Sequence, residues 1–328
     1  MYAIRLHAFG PADNLRYETV PDPTPGPGQV RISVAAAGVH VVDTALRRGR
    51  PGPFPVPELP TIPGREVAGT VDRVGADVDA ALLGRSVVTH LGGAPGGYAA
   101  LAVADVARLH DIPDGLDAAE AVAMIGTGRT TVGILQFADL GPRSVVAVTA
   151  AAGGIGTLLV QYAKNAGATV VGLAGGPDKV ERVAANGADV AVDYLLPDWP
   201  ERVRARLDGR GLTEVFDAVG GPTARAAIDL LDKGGLHLIY GYAGEGPNDI
   251  VFTEDELAER GITSQTVLGP PMLQRVGGDI RVLEERALAQ AAAGRLRPAV
   301  QRFPLSDAAG AHRALETRAT MGKVVLVP

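Results

Sequence analysis

The chain has 328 residues, 46% of them hydrophobic and 21% charged, which excludes a disordered polypeptide and suits about two domains of ordinary size. Its formal net charge of −6, without any Lys/Arg block, argues against nucleic acid or an anionic membrane as the main partner. The absence of cysteine removes disulfides, thiolate chemistry and cysteine-built zinc sites.

Met1-Tyr2-Ala3-Ile4-Arg5 reads as a strand rather than a secretory leader, and no apolar run reaches the ~18 residues of a spanning helix. A cytoplasmic globular protein is expected. The first part of the chain carries two proline clusters, Pro21 to Pro27 and Pro51 to Pro63, between short β-branched runs such as Val30 to Val34 and Val67 to Val74. Proline cannot donate to a sheet ladder and biases its predecessor towards extended backbone, so this region predicts a β-rich domain joined by loops.

From about Gly115 the rhythm changes. Asp117-Ala118-Ala119-Glu120 opens a helix, and strands then alternate with helices. These are Val145 to Thr149 (strand), Ile155 to Asn165 (helix), Thr169 to Ala174 (strand) and Pro177 to Asn186 (helix). Val190 to Val192, Val215 to Val219 and Leu236 to Tyr240 follow as further strands. Apolar on both sides and separated by helices, they predict an α/β doubly wound parallel sheet. Ile262 to Leu268 reads as an apolar edge strand that a monomer would leave exposed, which predicts a homodimer. Beyond Gly269-Pro270-Pro271 come a helix over Ile280 to Ala293, a strand near Val300, a helix from Asp307 and a last strand, Lys323 to Val327. That lone strand needs a sheet, and the N-terminal domain is the expected host. The expected division is 1–117 with 269–328 as a discontinuous catalytic domain, and 118–268 as a dinucleotide-binding insert.

The strongest motif runs from Val146 through Ala150-Ala151-Ala152-Gly153-Gly154-Ile155-Gly156. A buried strand ends in a turn of small residues and a helix begins at once, so backbone N–H groups at a helix N-terminus can meet a pyrophosphate. An NAD site would carry an acid ~20 residues on, at the tip of the second strand. Here that tip reads Ala174-Gly175-Gly176-Pro177-Asp178-Lys179. Lys179 can neutralise a 2′-phosphate and the N–H groups of Gly175 and Gly176 can approach it, although a solvated helix lysine would look the same.

Gly38-Val39-His40-Val41-Val42-Asp43, Pro63-Gly64-Arg65-Glu66-Val67-Ala68-Gly69, Gly97-Tyr98-Ala99, Asp217-Ala218-Val219-Gly220-Gly221 and Arg318-Ala319-Thr320-Met321-Gly322-Lys323 complete a pattern. With the glycine turn, the chain resembles the zinc-independent medium-chain dehydrogenases/reductases over its whole length. The likeness is to their NADPH:quinone oxidoreductase branch, which includes zeta-crystallin. The resemblance implies a GroES-like β-rich catalytic domain plus a Rossmann domain, with NADPH as cofactor. It implies Lys179 and Tyr194 at the 2′-phosphate, Ala152, Gly153, Gly154, Ile155 and Gly156 at the pyrophosphate, and Val219 on the adenosine-ribose side. Tyr240, Gly241, His40 and Thr127 would serve the nicotinamide end, and Arg318 and Lys323 would reach the cofactor from the tail. Gly176 departs from a Ser or Thr common in the family. In the zinc-dependent relatives cysteines and a histidine hold the metal; here there is no cysteine and Arg65 replaces the histidine, so no metal is expected. The implied reaction is hydride transfer to a quinone or enone. His40 either hydrogen-bonds the acceptor carbonyl, or shuttles the second proton, or simply packs and hydrogen-bonds to backbone. Rival readings are a stand-alone enoyl reductase and a non-catalytic NADPH-binding protein of the crystallin kind.

Overall fold

The computed structural model describes residues 1–50, 54–241 and 252–328. Pro51 and Pro53 of the second proline cluster lie outside these. Two compact units emerge, one of Met1–Arg129 with Glu284–Pro328 and the other of Thr130–Leu283.

In the first unit β1 (Tyr2–Leu6) pairs antiparallel with β2 (Leu15–Thr19). A larger sheet is built from β3 (Gln29–Val39), β4 (Glu66–Val74), β5 (Ser86–His90), β6 (Leu101–Asp105) and β7 (His110–Asp111). Between β3 and β4 lies α1 (Val41–Arg47), and α2 (Ala118–Ala123) packs on β3 and β4. The α2 start is a capping box: Glu120 N–H donates to Asp117 Oδ1 at 2.8 Å and Asp117 N–H to Glu120 Oε2 at 3.0 Å. Alternation along β3 and β4 buries Val30, Ile32, Val67 and Val71 in one apolar core.

The second unit opens, after the first residue of α3 (Arg129–Leu135), with β8 (Val145–Val148), α4 (Gly154–Asn165), β9 (Thr169–Ala174) and α5 (Pro177–Ala185). It continues through β10 (Val190–Asp193), α6 (Trp199–Leu207), β11 (Leu212–Asp217), α7 (Gly221–Ile228) and β12 (Leu231–Ile239). Then come α8 (Glu254–Arg260), β13 (Thr263–Thr266) and α9 (Pro270–Gln274). All strands are parallel in the order β10-β9-β8-β11-β12-β13, so the strand order reverses between β8 and β11. Loops after those two strands flank the switch point, where such sheets bind ligands.

The chain leaves the second unit within α10 (Ile280–Ala292) and returns to the first through β14 (Val300–Pro304), α11 (Ala308–Glu316) and β15 (Lys323–Val327). The final strand is antiparallel to β3 and parallel to β14. By contact, the units divide at 129/130 and 283/284. Two packings set these divisions: α2 lies on the β3–β4 sheet, and Gln136 donates to Met272 O at 3.3 Å, tying α9 to α3.

The edge strand also corrects the sequence reading. Ile262 and Val267 are buried, and β13 itself is Thr263-Ser264-Gln265-Thr266. The sheet edge is polar, with Leu268 alone of the apolar run exposed. No helix among the described residues is long and apolar enough to cross a membrane.

Candidate functional site

In the second unit, β8 ends and the chain turns through Thr149 to Gly153, with Ala150 in the left-handed region at φ 47°. Ala151 N–H donates to Leu173 O and Gly153 N–H to Ala150 O, both at 2.9 Å, which ties the turn to β9. The turn is closed against the helix: a Cβ at Gly156 would stand 2.4 Å from Ala150 O and 2.7 Å from Ala151 Cα. No side chain caps α4 at Gly153. The N–H groups of Gly154, Ile155 and Gly156 therefore point from the helix start without an intrahelical acceptor, the arrangement that receives a phosphate.

Asp217 organises the neighbouring turn. Its Oδ1 accepts from Thr149 Oγ1 at 2.9 Å and Val219 N–H at 3.0 Å, and its Oδ2 accepts from Gly220 N–H at 3.1 Å. Burial alone would push its carboxyl up; the adjoining His237 ring and the bonds from Val219 and Thr149 outweigh this and hold it below the usual range. Tyr240 is buried, and its hydroxyl donates to Thr149 O at 3.2 Å. Its ring thus serves the frame of the turn. Gly241 follows beside Ala218, where a Cβ would stand 3.2 Å from Ala218 O.

The cofactor-selecting end lies between β9 and α5. Asp193↔Ala174 is the last pair of the β10–β9 ladder, so Tyr194 emerges beside Gly175, whose Cβ would stand 3.3 Å from the tyrosine hydroxyl. Lys179 sits half-buried on the first turns of α5. Gly176 N–H, expected to be offered to a phosphate, instead donates to Asp193 Oδ1 at 3.0 Å, and that oxygen also accepts from Leu195 N–H at 3.0 Å. The acid missing from the tip of β9 is thus supplied to the same turn by β10.

The first unit gathers titratable groups around Glu66, at the start of β4. Glu66 is 1% exposed, and Lys323 on β15 donates to its Oε2 at 3.0 Å. His40, the residue before α1, places Nε2 2.6 Å from Lys323 Nζ and 2.6 Å from Glu66 Oε1. Burial pushes the carboxyl up, but the charges of His40 and Lys323 prevail and hold it well below the carboxylate range. Burial likewise lowers the Lys323 ammonium, opposed by Glu66. His90 on β5 is held down to about 4 by burial and by the Arg129 guanidinium. A π-helical turn over Met124–Gly128 brings Gly126 against this carboxylate, where any Cβ would lie 1.7 Å from Oε1. Thr127 is buried in the same turn. Such turns recur at functional sites.

Beneath α1, Asp43 Oδ2 accepts from His40 N–H at 2.9 Å and from the Tyr98 hydroxyl at 3.1 Å. His312 Nε2 lies 3.2 Å from that hydroxyl. Burial and Asp43 raise the Tyr98 phenol well above its usual range. Arg65 sits 3.6 Å from Asp43 Oδ1 and covers the Phe54 ring at 4.4 Å.

Residues 154–276 match the zinc-binding dehydrogenase family and residues 26–114 the alcohol dehydrogenase GroES-like domain. A 2-haloacrylate reductase of Burkholderia is 33% identical over 329 residues, covering 98% of both chains. A quinone oxidoreductase of Pseudomonas aeruginosa is 33% identical over 334 residues, covering 99% of both. The chain belongs to the quinone oxidoreductase family of medium-chain dehydrogenases/reductases. Its fold is the family's GroES-like domain with a Rossmann-type parallel sheet. Among solved structures, a mycobacterial protein complexed with NADPH superposes with a TM-score of 0.83 at 32% identity, covering all of both chains. An NAD-dependent alcohol dehydrogenase superposes with a TM-score of 0.87 at 30% identity, also over all of both chains.

Within this quinone oxidoreductase fold, Ala152 to Gly156, Gly175, Gly176, Lys179, Tyr194, Val219, Tyr240 and Gly241 belong to the second unit. His40, Thr127, Arg318 and Lys323 belong to the first. Lys323 is 4% exposed and in contact with Glu66 and His40. Arg318, just past α11, adopts a left-handed φ of 56° with its N–H on Leu315 O at 3.1 Å. Sequence reasoning did not assign Glu66, Asp193 or Asp217 to a site. Each stood in or beside a quoted motif, and an acid amid small apolar residues was the available signal. Among the described residues no group of three or more His, Asp or Glu side chains is placed to hold a metal ion.

Proposed function

We propose that this protein is an NADPH-dependent reductase that passes hydride to quinones or α,β-unsaturated carbonyls without a metal. The observation that carries the reading is the turn from β8 into α4, where no side chain caps the helix N-terminus and Gly156 lets the turn backbone pack directly on the helix start, so that N–H groups are available to a pyrophosphate. Lys179 and Tyr194, the latter beside Gly175, would hold the 2′-phosphate. With Gly176 N–H taken by Asp193, the preference for NADPH over NADH rests on those two and is moderate. NADPH, when bound, supplies the hydride from its nicotinamide ring.

A metal-free reading is supported by the chemistry of the donors. His40 and Glu66 could ligate a cation, but the Lys323 ammonium already bridges them. The Arg65 guanidinium, fixed between Asp43 and Phe54, would repel one. His40 and Thr127 are carried as nicotinamide-side residues, and Arg318 as a cofactor residue, by the family resemblance. The catalytic role assigned to the discontinuous unit has the same basis. Conjugated acceptors are intrinsically electrophilic, so positioning, donors and exclusion of water suffice. The likeness to a 2-haloacrylate reductase favours including conjugated carboxylates among the acceptors.

Titrations with NADPH and NADH, then cofactor oxidation with a panel of quinones, enones and enoates, test the proposal. Turnover with at least one class is expected. Tight NADPH binding without turnover on any acceptor would favour a binding protein instead. We further propose a cytoplasmic homodimer, joined along β13, which is the sheet edge among the described residues. Light scattering at micromolar concentration is expected to give twice the chain mass, and a monomer would reject the dimer.

A further inference from the structure

A conjugated acceptor that gains a hydride becomes an anion and still needs one proton. The structure places three exchangeable groups in contact in the first unit: His40 Nε2 stands 2.6 Å from Lys323 Nζ and 2.6 Å from Glu66 Oε1, with Nζ 3.0 Å from Oε2. The imidazole nitrogen bonds with the ammonium, so among the described residues the buried Oε1 has no hydrogen-bond partner although His40 stands beside it. A single ring nitrogen cannot accept from Nζ and donate to Oε1 at once, so the same heavy atoms support two proton arrangements. A buried carboxylate oxygen that touches a ring nitrogen without receiving its hydrogen bond is costly, and the second proton arrangement would satisfy it. The cluster reaches solvent at one corner only: His40 is 33% exposed, Lys323 4% and Glu66 1%. Nearby charges come from every packed element, with His90 on β5, Asp43 on α1, Arg129 on α3 and Glu284 on α10.

We propose that Lys323, His40 and Glu66 form the proton store that completes reduction, Lys323 holding the proton, His40 handing it over and Glu66 positioning both. The inference rests on the reductase reading above and extends it from the hydride to the proton. In the step, a ring N–H of His40 breaks as its proton goes to the anionic acceptor. An N–H forms at Nε2 with a proton from Lys323 Nζ, leaving a neutral amine beside Glu66. One proton from water, entering through the exposed face of His40, restores the ammonium. Burial, which lowers the Lys323 ammonium, makes it a readier donor than a solvated lysine.

The test compares wild type with Lys323→Met, Glu66→Gln and the double variant, each as the full chain with NADPH and an acceptor that wild type reduces. Lys323→Met is expected to lower kcat by about 100-fold or more while KM for NADPH stays within about threefold. The solvent deuterium isotope effect on kcat should rise, and added ethylamine should restore turnover in proportion to its concentration. The double variant leaves no buried charge unpaired, so it removes the folding hazard of either single change. It is expected to remain as slow as Lys323→Met, and its return to the wild-type rate would overturn the proposal by showing that Lys323 only neutralises Glu66. Failure of ethylamine to restore turnover, with an unchanged isotope effect, would overturn it as well. In the ligand-free protein the ε-carbon NMR signal of Lys323 should titrate below the ordinary lysine range and move lower in Glu66→Gln. An ordinary titration would break the coupling claimed. Inactivity of wild type on every acceptor would remove the reductase reading and this inference together, whereas an active wild type with unaffected variants removes this one alone.

Discussion

Two glycines at the β8–α4 turn differ sharply in what they tolerate, and the difference can be measured. At Gly156 an alanine Cβ would stand 2.4 Å from Ala150 O and 2.7 Å from Ala151 Cα, both backbone atoms that no side-chain rotation can clear. At Gly153 the nearest obstacle is Ala150 O at 3.2 Å, and its φ of −77° suits alanine. Forcing a methyl into a tight site costs about 1–3 kcal/mol, which for a domain of this size lowers Tm by roughly 2–12 °C. Relief by moving the turn also misaligns the N–H groups of Gly154 to Gly156. Losing one hydrogen bond to a phosphate costs about 1.5–3 kcal/mol, or ~10- to 100-fold in affinity. Gly156→Ala should therefore lose both stability and NADPH, while Gly153→Ala should shift either by little, within about threefold in Kd. Thermal unfolding by circular dichroism and cofactor titration by fluorescence read the two effects. Equal losses in both variants, or wild-type binding by Gly156→Ala, would refute the claim that backbone closure of this turn shapes the phosphate site.

Other outcomes follow from the same geometry. Lys179→Ala should weaken NADPH by about 10- to 100-fold and NADH far less, read by titrating both at fixed ionic strength. Asp193→Ser removes a carboxylate from the turn that holds Gly176 and should widen the NADPH preference, by roughly threefold to tenfold for one screened charge. His312 is buried beside Arg47 and held down to about 3, below its unfolded value of about 6.5. Its contribution to stability is therefore complete above about pH 6.5 and is lost as pH falls towards about 3. His312→Phe should flatten the acid fall of Tm across that window, and an unchanged profile would count against a neutral buried imidazole.

The sequence made some of this legible and hid the rest for physical reasons. Thr169–Ala174 and Lys323–Val327 coincide with their expected bounds because buried strands are short apolar runs between glycines or charges. The α2 start was legible in Asp117 and Glu120, since a capping box is local. The Glu66–Lys323 pair was not, because it forms only when β15 docks on β3 and so depends on pairing across most of the chain. Asp193 escaped notice for a related reason: it reaches the β9–α5 turn from a neighbouring strand, where a reading along β9 cannot look. The edge strand misled because Ile262 and Val267 face the core at its two ends while the paired residues between them are polar.

The strand that closes the first sheet, β15, has a temporal consequence. A ribosome releases Glu66 and His40 long before it makes Lys323, and the whole second unit emerges in between. The whole dinucleotide-binding unit is made before β15, so β3 must wait with an open edge for a partner made much later. Until then Glu66 is a carboxylate without the ammonium that pairs with it in the folded unit. Translation order thus leaves the first sheet with an open edge until residues 323–327 have been made.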